Sequence, residues 1–165
     1  MSFIQPVPME KCEAAGVPDA RFGQILAHKP EQAKAALGVI LHSHQEGNVD
    51  HRLKEVIRIQ LSRFAEDEYF ASLRSKKAIA EGLTEEMVEA GCGDYDDSPL
   101  FSDAEKCALR FAEQMFLDAS KVDKAFYDEM KEYYSEAEIM EIGSFIAVHY
   151  GVIKATRPLA LGAVS

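Results

Sequence analysis

The chain contains no tryptophan, only three cysteines (Cys12, Cys92 and Cys107), and no apolar run near the ~18 residues that cross a bilayer. The three thiols are widely spaced and form no Cys-x-x-Cys, which excludes a disulfide framework and a zinc ribbon and suits a reducing compartment. Glycine and proline are sparse, 10 and 6 among 165 residues, so the chain is neither collagen-like nor of low complexity. Positive charge is also short. Lys+Arg number 18 against 28 Asp+Glu, and a formal net charge of -10 repels phosphate backbones and anionic lipid alike. The N-terminal stretch MSFIQPVPMEKCEAAGV lacks the basic start and apolar centre of a secretory signal. These absences predict a soluble, cytoplasmic protein of one domain over residues 1–165, with a small molecule rather than a nucleic acid or a membrane as its partner.

What is present is helical punctuation. Residues 1–20 carry Pro6, Pro8 and Pro18 and read as an irregular arm, with at most a helical turn around Met9–Ala15. Pro30 suits the first turn of a helix running to about Ser43. Asp50 can cap the next helix, whose Leu53, Val56, Ile57, Leu61 and Phe64 form a 3.6-period stripe. The pattern then predicts one helix over Glu66–Glu81 stopped by Gly82, and a short helix capped by Thr84. Ser102/Glu105 and Ser135/Glu138 are capping boxes that open two further helices, the second ending before Pro158, with Lys124–Tyr134 helical between them. No alternating strand pattern occurs. The expected fold is all-α, with about seven helices.

Several polar residues stand out against that frame. Glu55 and Arg58 lie three apart on the Asp50-capped helix and form, with Ser62, a face opposite its apolar stripe. His149 sits among Ile142, Ile146 and Ile153, next to Tyr150, where either a packed core histidine or a proton shuttle would fit. Arg157 suits the negative end of the last helix. His42, His44 and His51 cluster in sequence, but their spacing matches no familiar metal-ligand pattern, so no metal is expected. The pairs Phe126-Tyr127 and Tyr133-Tyr134 read as core and rim of an amphipathic helix.

The succession HRLKEVIRIQLSRFAEDEYFASLRSKKAIAEGLTEEMVEAG, FSDAEKCALRFAEQM and SEAEIMEIGSFIAVHYGVIKATRPLAL resembles the carboxymuconolactone decarboxylase and alkylhydroperoxidase D-like family over roughly residues 30–161. The resemblance implies an all-α scaffold built by helix packing into a homo-oligomer (dimer, trimer or hexamer). In the peroxidase branch the active-site helix carries Cys-x-x-Cys-x-x-x-His; counted back from Gly82, those positions are Asp67, Phe70 and Arg74 here, while the upstream glutamate matches Glu55. Without a thiol pair, one thiolate to attack peroxide and one to resolve the sulfenate, dithiol peroxidase chemistry is withdrawn. The decarboxylase branch uses no metal and no organic cofactor, and its acidic-aromatic stretch resembles Glu66–Phe70, with Arg74 where a histidine is expected.

On that resemblance the predicted catalytic residues are Glu55, Asp67, Arg74 and His149, with Arg58, Glu68, Tyr69, Phe70 and Tyr150 lining the substrate site. Asp67, Phe70 and Arg74 fall on one face of the predicted 66–81 helix, where they form either a site or a solvated ionic face. A glutamate buried between two helices would have a raised pKa suited to acid–base work. The implied activity is that of a cofactor-independent lyase acting on a small organic acid, lactone or carbonyl compound. The alternatives are a peroxidase-related antioxidant protein using an atypical cysteine, Cys92 or Cys107, and a non-catalytic binding scaffold.

Overall fold

The computed structural model describes residues 3–14 and 21–163. Among these the chain is all-α: ten α-helices, two short 3-10 turns and no strand. In chain order the helices are α1 Met9–Ala14, α2 Arg21–Leu26, α3 Pro30–Gln45, α4 His51–Phe64, α5 Glu68–Ser72, α6 Lys76–Ala80, α7 Glu85–Gly91, α8 Asp103–Asp118, α9 Lys124–Met130 and α10 Glu136–Thr156. No helix among the described residues is long and apolar enough to cross a membrane.

The capping signals act as their chemistry dictates. Asp50 accepts from Leu53 N at 3.1 Å, and Thr84 from Met87 N at 3.2 Å. Both capping boxes close reciprocally at Ser102/Glu105 and Ser135/Glu138. Gly82 takes a φ of 98°, the left-handed conformation that ends a helix without steric cost to glycine. Helix α9 stops at Met130, short of the expected Tyr134; the chain continues in turns, and the Tyr134 hydroxyl reaches the Ala104 carbonyl at 2.8 Å.

Helix α4 is the centre of the molecule: eleven of its fourteen residues are buried. Helices α5, α6, α7, α8 and α10 pack around it. Its Val56, Ile57, Ile59 and Leu61 join Ala108, Phe111, Ile142 and Phe145 in the main core. At ~1.5–3 kcal/mol per fully buried large apolar side chain, this cluster is the dominant favourable term in folding. The N-terminal segment is less free than its prolines suggest. Val7 N donates to Gln24 O at 3.1 Å, and Val7, Cys12, Ala27 and Ala33 form a small second cluster. Part of the expected arm, residues 1–2 and 15–20, lies outside the described residues. Helix α2 had no expected counterpart. It is one and a half turns long, too short for periodicity to register.

The predicted 66–81 helix is broken. Leu73 adopts an extended conformation (φ -74°, ψ 148°), and Ser75 starts a new helix as the N-cap of α6. A continuous helix would have satisfied the carbonyls of Phe70, Ala71 and Leu73 with backbone donors. Here Phe70 O keeps one backbone donor, Leu73 N at 3.3 Å, and side chains supply the rest. The Arg58 guanidinium donates to Phe70 O at 2.6 Å and Leu73 O at 2.8 Å, and Arg74 donates to Ala71 O at 2.7 Å. The freed Ser75 N donates to Glu55 Oε1 at 2.7 Å. The buried ions of α4 thus replace the hydrogen bonds that the break costs.

Candidate active site

The break opens a cavity of about 490 Å3 between α3, α4, α10 and the α5–α6 segment. Its wall includes Ile40 and His44 from α3, Glu55 and Arg58 from α4, Phe70 and Leu73 beside the break, and His149 from α10. Arg74, Lys76 and Lys77 stand at the same wall.

Glu55 is fully buried and held from three directions. Arg58 grips it in a fork, Nε to Oε2 at 2.8 Å and Nη2 to Oε1 at 2.9 Å. Ser75 N donates to Oε1, and His44 Nε2 lies 2.8 Å from Oε2. The histidine approach is in contact but off the line of a well-angled hydrogen bond. Burial alone would raise the Glu55 pKa; the Arg58 fork and the His44 contact outweigh it and hold the carboxyl well below its usual range. The expectation of a raised Glu55 pKa is therefore corrected: the group is ionised throughout the neutral range and is not itself a proton donor. Arg58 spends its donors on Glu55 and two carbonyls, so its first role is to build the wall.

Three imidazoles gather here. His51 Nδ1 donates to His44 O at 2.6 Å, which leaves Nε2 to accept from the Ser75 hydroxyl at 2.7 Å. The His44 ring lies 4.4 Å from the His51 ring and 5.4 Å from that of His149, centroid to centroid. Burial lowers the His44 pKa against the opposing pull of Glu55. His149 is 4 % exposed, stacks near Phe145 at 4.2 Å, and its Nε2 is buried without a partner. Burial, with His44 and Arg58 adding repulsion, carries its pKa down to about 3, so His149 is neutral at physiological pH.

Of the predicted site residues, Glu55, Arg58, Phe70, Arg74 and His149 share this cavity; the others do not. Arg74 is at its rim, engaged to Glu85 at 2.8 and 3.0 Å. Asp67 turns away. It caps α5 through Phe70 N at 2.9 Å and accepts from the Thr156 hydroxyl at 3.2 Å, beside a separate hollow of about 210 Å3 that Glu68 and Tyr69 also line. The Tyr69 hydroxyl accepts from Phe22 N at 3.3 Å. Tyr150 packs edge-on against Phe116 at 5.3 Å, with Lys154 over its ring, away from the cavity. The break in the helix is the reason: without a continuous 66–81 helix, Asp67 and Arg74 share no face. His44 and Ser75 are the additions. A histidine in the last turn of one helix and another at the start of the next was the only sequence signal for the first, and nothing in the sequence marked Ser75.

The three cysteines are free, and none lines the cavity. Burial pushes the thiols of Cys92 and Cys107 up to about 11. Among the described residues no group of histidine, cysteine or carboxylate side chains is placed to hold a metal ion.

No family model and no curated protein matches the sequence. Solved structures do match in fold. The debrominase Bmp8 in its apo form superposes with a TM-score of 0.83 at 21% identity, over 100% of this chain and 94% of its own. An uncharacterized peroxidase-related protein with an alkylhydroperoxidase AhpD core from Ralstonia eutropha JMP134 gives 0.78 at 16% identity, over 96% and 90%. A peroxidase-related protein from Silicibacter sp. TM1040 gives 0.77 at 14% identity, over 94% and 85%. What these likenesses share with the chain is architecture: it has the all-α fold of AhpD-like, peroxidase-related proteins.

Proposed function

We propose that the protein is a cofactor-independent acid–base enzyme on an AhpD-like scaffold, a lyase that moves a proton beside a carbonyl group of a small organic acid, lactone or related compound. The observation that carries this reading is the pair of imidazoles facing one cavity, half-buried His44 and buried His149, both with pKa values lowered by burial, the first backed by the ionised Glu55. His44 acts as the base. An imidazolium forming there is stabilised by the carboxylate at 2.8 Å, as in any carboxylate–histidine dyad. His149, neutral and with a free Nε2, donates a hydrogen bond to the oxygen on which enolate charge develops. Phe70, Leu73 and Ile40 keep the cavity apolar, which strengthens both interactions, and Arg74 at the rim favours a carboxylate-bearing substrate.

The test is turnover, read as proton–deuterium exchange or CO2 release across a set of small oxo acids and lactones. His44→Asn and Glu55→Gln should each lower the rate by ~10²–10⁴-fold, and His149→Leu by a similar factor. If a compound turned over by the unaltered protein is turned over equally by all three variants, the proposal fails. The fold neighbours suit an antioxidant, peroxidase-related role equally well. That role would need Cys92, which is half-buried beside Arg63 and has a thiol raised to about 11. Self-association into a homo-oligomer belongs to the same proposal, supported by Val39 and Leu41 of α3, 55% and 40% exposed. Sedimentation velocity showing only monomers would remove it.

A further inference from the structure

Helix α3 brings His44 to the cavity yet buries only Ala33 among its sixteen residues; packing at its end is limited to Ile40 and to the His44 ring beside Phe145 at 5.8 Å. Polar ties add the rest. The carbonyls of His44, Gln45 and Glu46 accept from His51 Nδ1 at 2.6 Å, Lys77 Nζ at 2.9 Å and Lys54 Nζ at 2.6 Å. These are the orphan carbonyls of a helix C-terminus, where cationic partners are most favourable. Lys54 is 1% exposed and is ion-paired to Glu141 of α10. The same Glu141 carboxylate accepts from Asn48 N at 2.8 Å and Val49 N at 3.1 Å. Just before them Gly47 has a φ of 108°, and a Cβ there would run into the Glu141 carboxylate. The loop is thus folded around one carboxylate, at a position only glycine tolerates.

We propose that Glu141, acting with Lys54, is a positioning residue that seats His44 against Glu55; the inference rests on the reading of His44 as the base. Glu141 does not line the cavity that holds His44 and His149. It lies two turns before His149 on α10. One helix therefore carries one imidazole and, through the loop clamp, fixes the other, which sets the 5.4 Å separation of their rings. A displacement of ~1 Å at the end of α3 would break the contact between His44 and Glu55 and cost proton transfer heavily.

The measurement is imidazole 1H–15N correlation NMR of the full chain across pH, with no ligand present. The groups around His44 are Glu55, Arg58, His51 and Lys54 from α4, His149 from α10, and Lys76 and Lys77 from α6. In the unaltered protein His44 titrates below ~6.5. In Glu141→Ala and in Gly47→Ala its midpoint should rise as the released ring leaves its buried position and hydrates. Glu141→Gln, which keeps an acceptor oxygen for the loop amides, should shift it less. A His44 midpoint and ring shifts unchanged in the folded variants would overturn the proposal. If Glu141→Ala does not fold, Gly47→Ala and Glu141→Gln decide the matter. Because no turnover is measured, the outcome is separable from that of His44→Asn: a shifted His44 in a protein indifferent to His44→Asn keeps the clamp and sinks the enzyme reading.

Discussion

Two long helices face each other across the candidate site and are held in opposite ways. Helix α4 buries eleven of fourteen residues, including Lys54, Glu55, Arg58 and Gln60. Helix α3 buries one of sixteen and exposes Val39 and Leu41. The first is fixed by the core on every side and can afford buried ions only because each meets a partner; the second is fixed at one end through its carbonyls. The site therefore joins a rigid carboxylate–guanidinium wall to a histidine on a polar tether. The contrast teaches that burial decides which half of a site is preset and which half can be adjusted.

The largest expected break in that contrast is removal of one partner from the buried pair. Arg58→Met leaves Glu55 charged in a closed wall without its guanidinium fork, and takes one donor each from the carbonyls of Phe70 and Leu73. Thermal or urea unfolding should show a loss of ~3–5 kcal/mol. Next come matched apolar truncations. Ile57→Ala on α4, at 0% exposure, should cost ~2–5 kcal/mol, whereas Val39→Ala on α3, at 55%, should stay within ~0.5 kcal/mol. Equal costs would erase the distinction. Amide hydrogen exchange sharpens it from another side: the middle of α3 should exchange faster than the middle of α4 under native conditions.

Acid titration separates His149 on α10 from Glu55 on α4 by pH window, since both lose stability in the same direction as pH falls. His149 has a folded pKa near 3, below the ~6.5 of the unfolded chain, so between those values the unfolded state binds more protons. Stability therefore falls as pH drops from about 6.5 toward 3, and His149→Leu should flatten that limb of the melting profile. Glu55 is also depressed, so its contribution is full above its unfolded value of 4.5 and is lost below it. Glu55→Gln should flatten only the more acidic limb. The smallest expected effect is at the surface. Lys124 and Asp128 form an exposed i,i+4 pair, and Lys124→Ala should change stability by no more than ~0.5 kcal/mol.

Helix ends were legible residue by residue. Asp50, Thr84, Ser102 and Ser135 each cap the helix they announce, because a cap is a contact between residues two or three apart and the chain states it locally. The burial of Glu55, Arg58 and His149 in one cavity was partly legible through spacing on their helices. The turn between Phe70 and Ser75 was not, since the donors that make it affordable come from Arg58 and Glu55, on a different helix. That long-range competition removed Asp67, Glu68 and Tyr69 from the cavity and brought Ser75 in.

By itself, then, the sequence determined an all-α chain, most of its helix boundaries and the absence of a thiol pair, since capping, periodicity and composition are local properties. The tertiary structure alone decided that Glu55 is a held carboxylate rather than a proton donor, that His44 belongs beside it, and that Glu141 reaches the loop before it. Each of those depends on which distant groups burial forces to satisfy one another, and that is set only once the helices have packed.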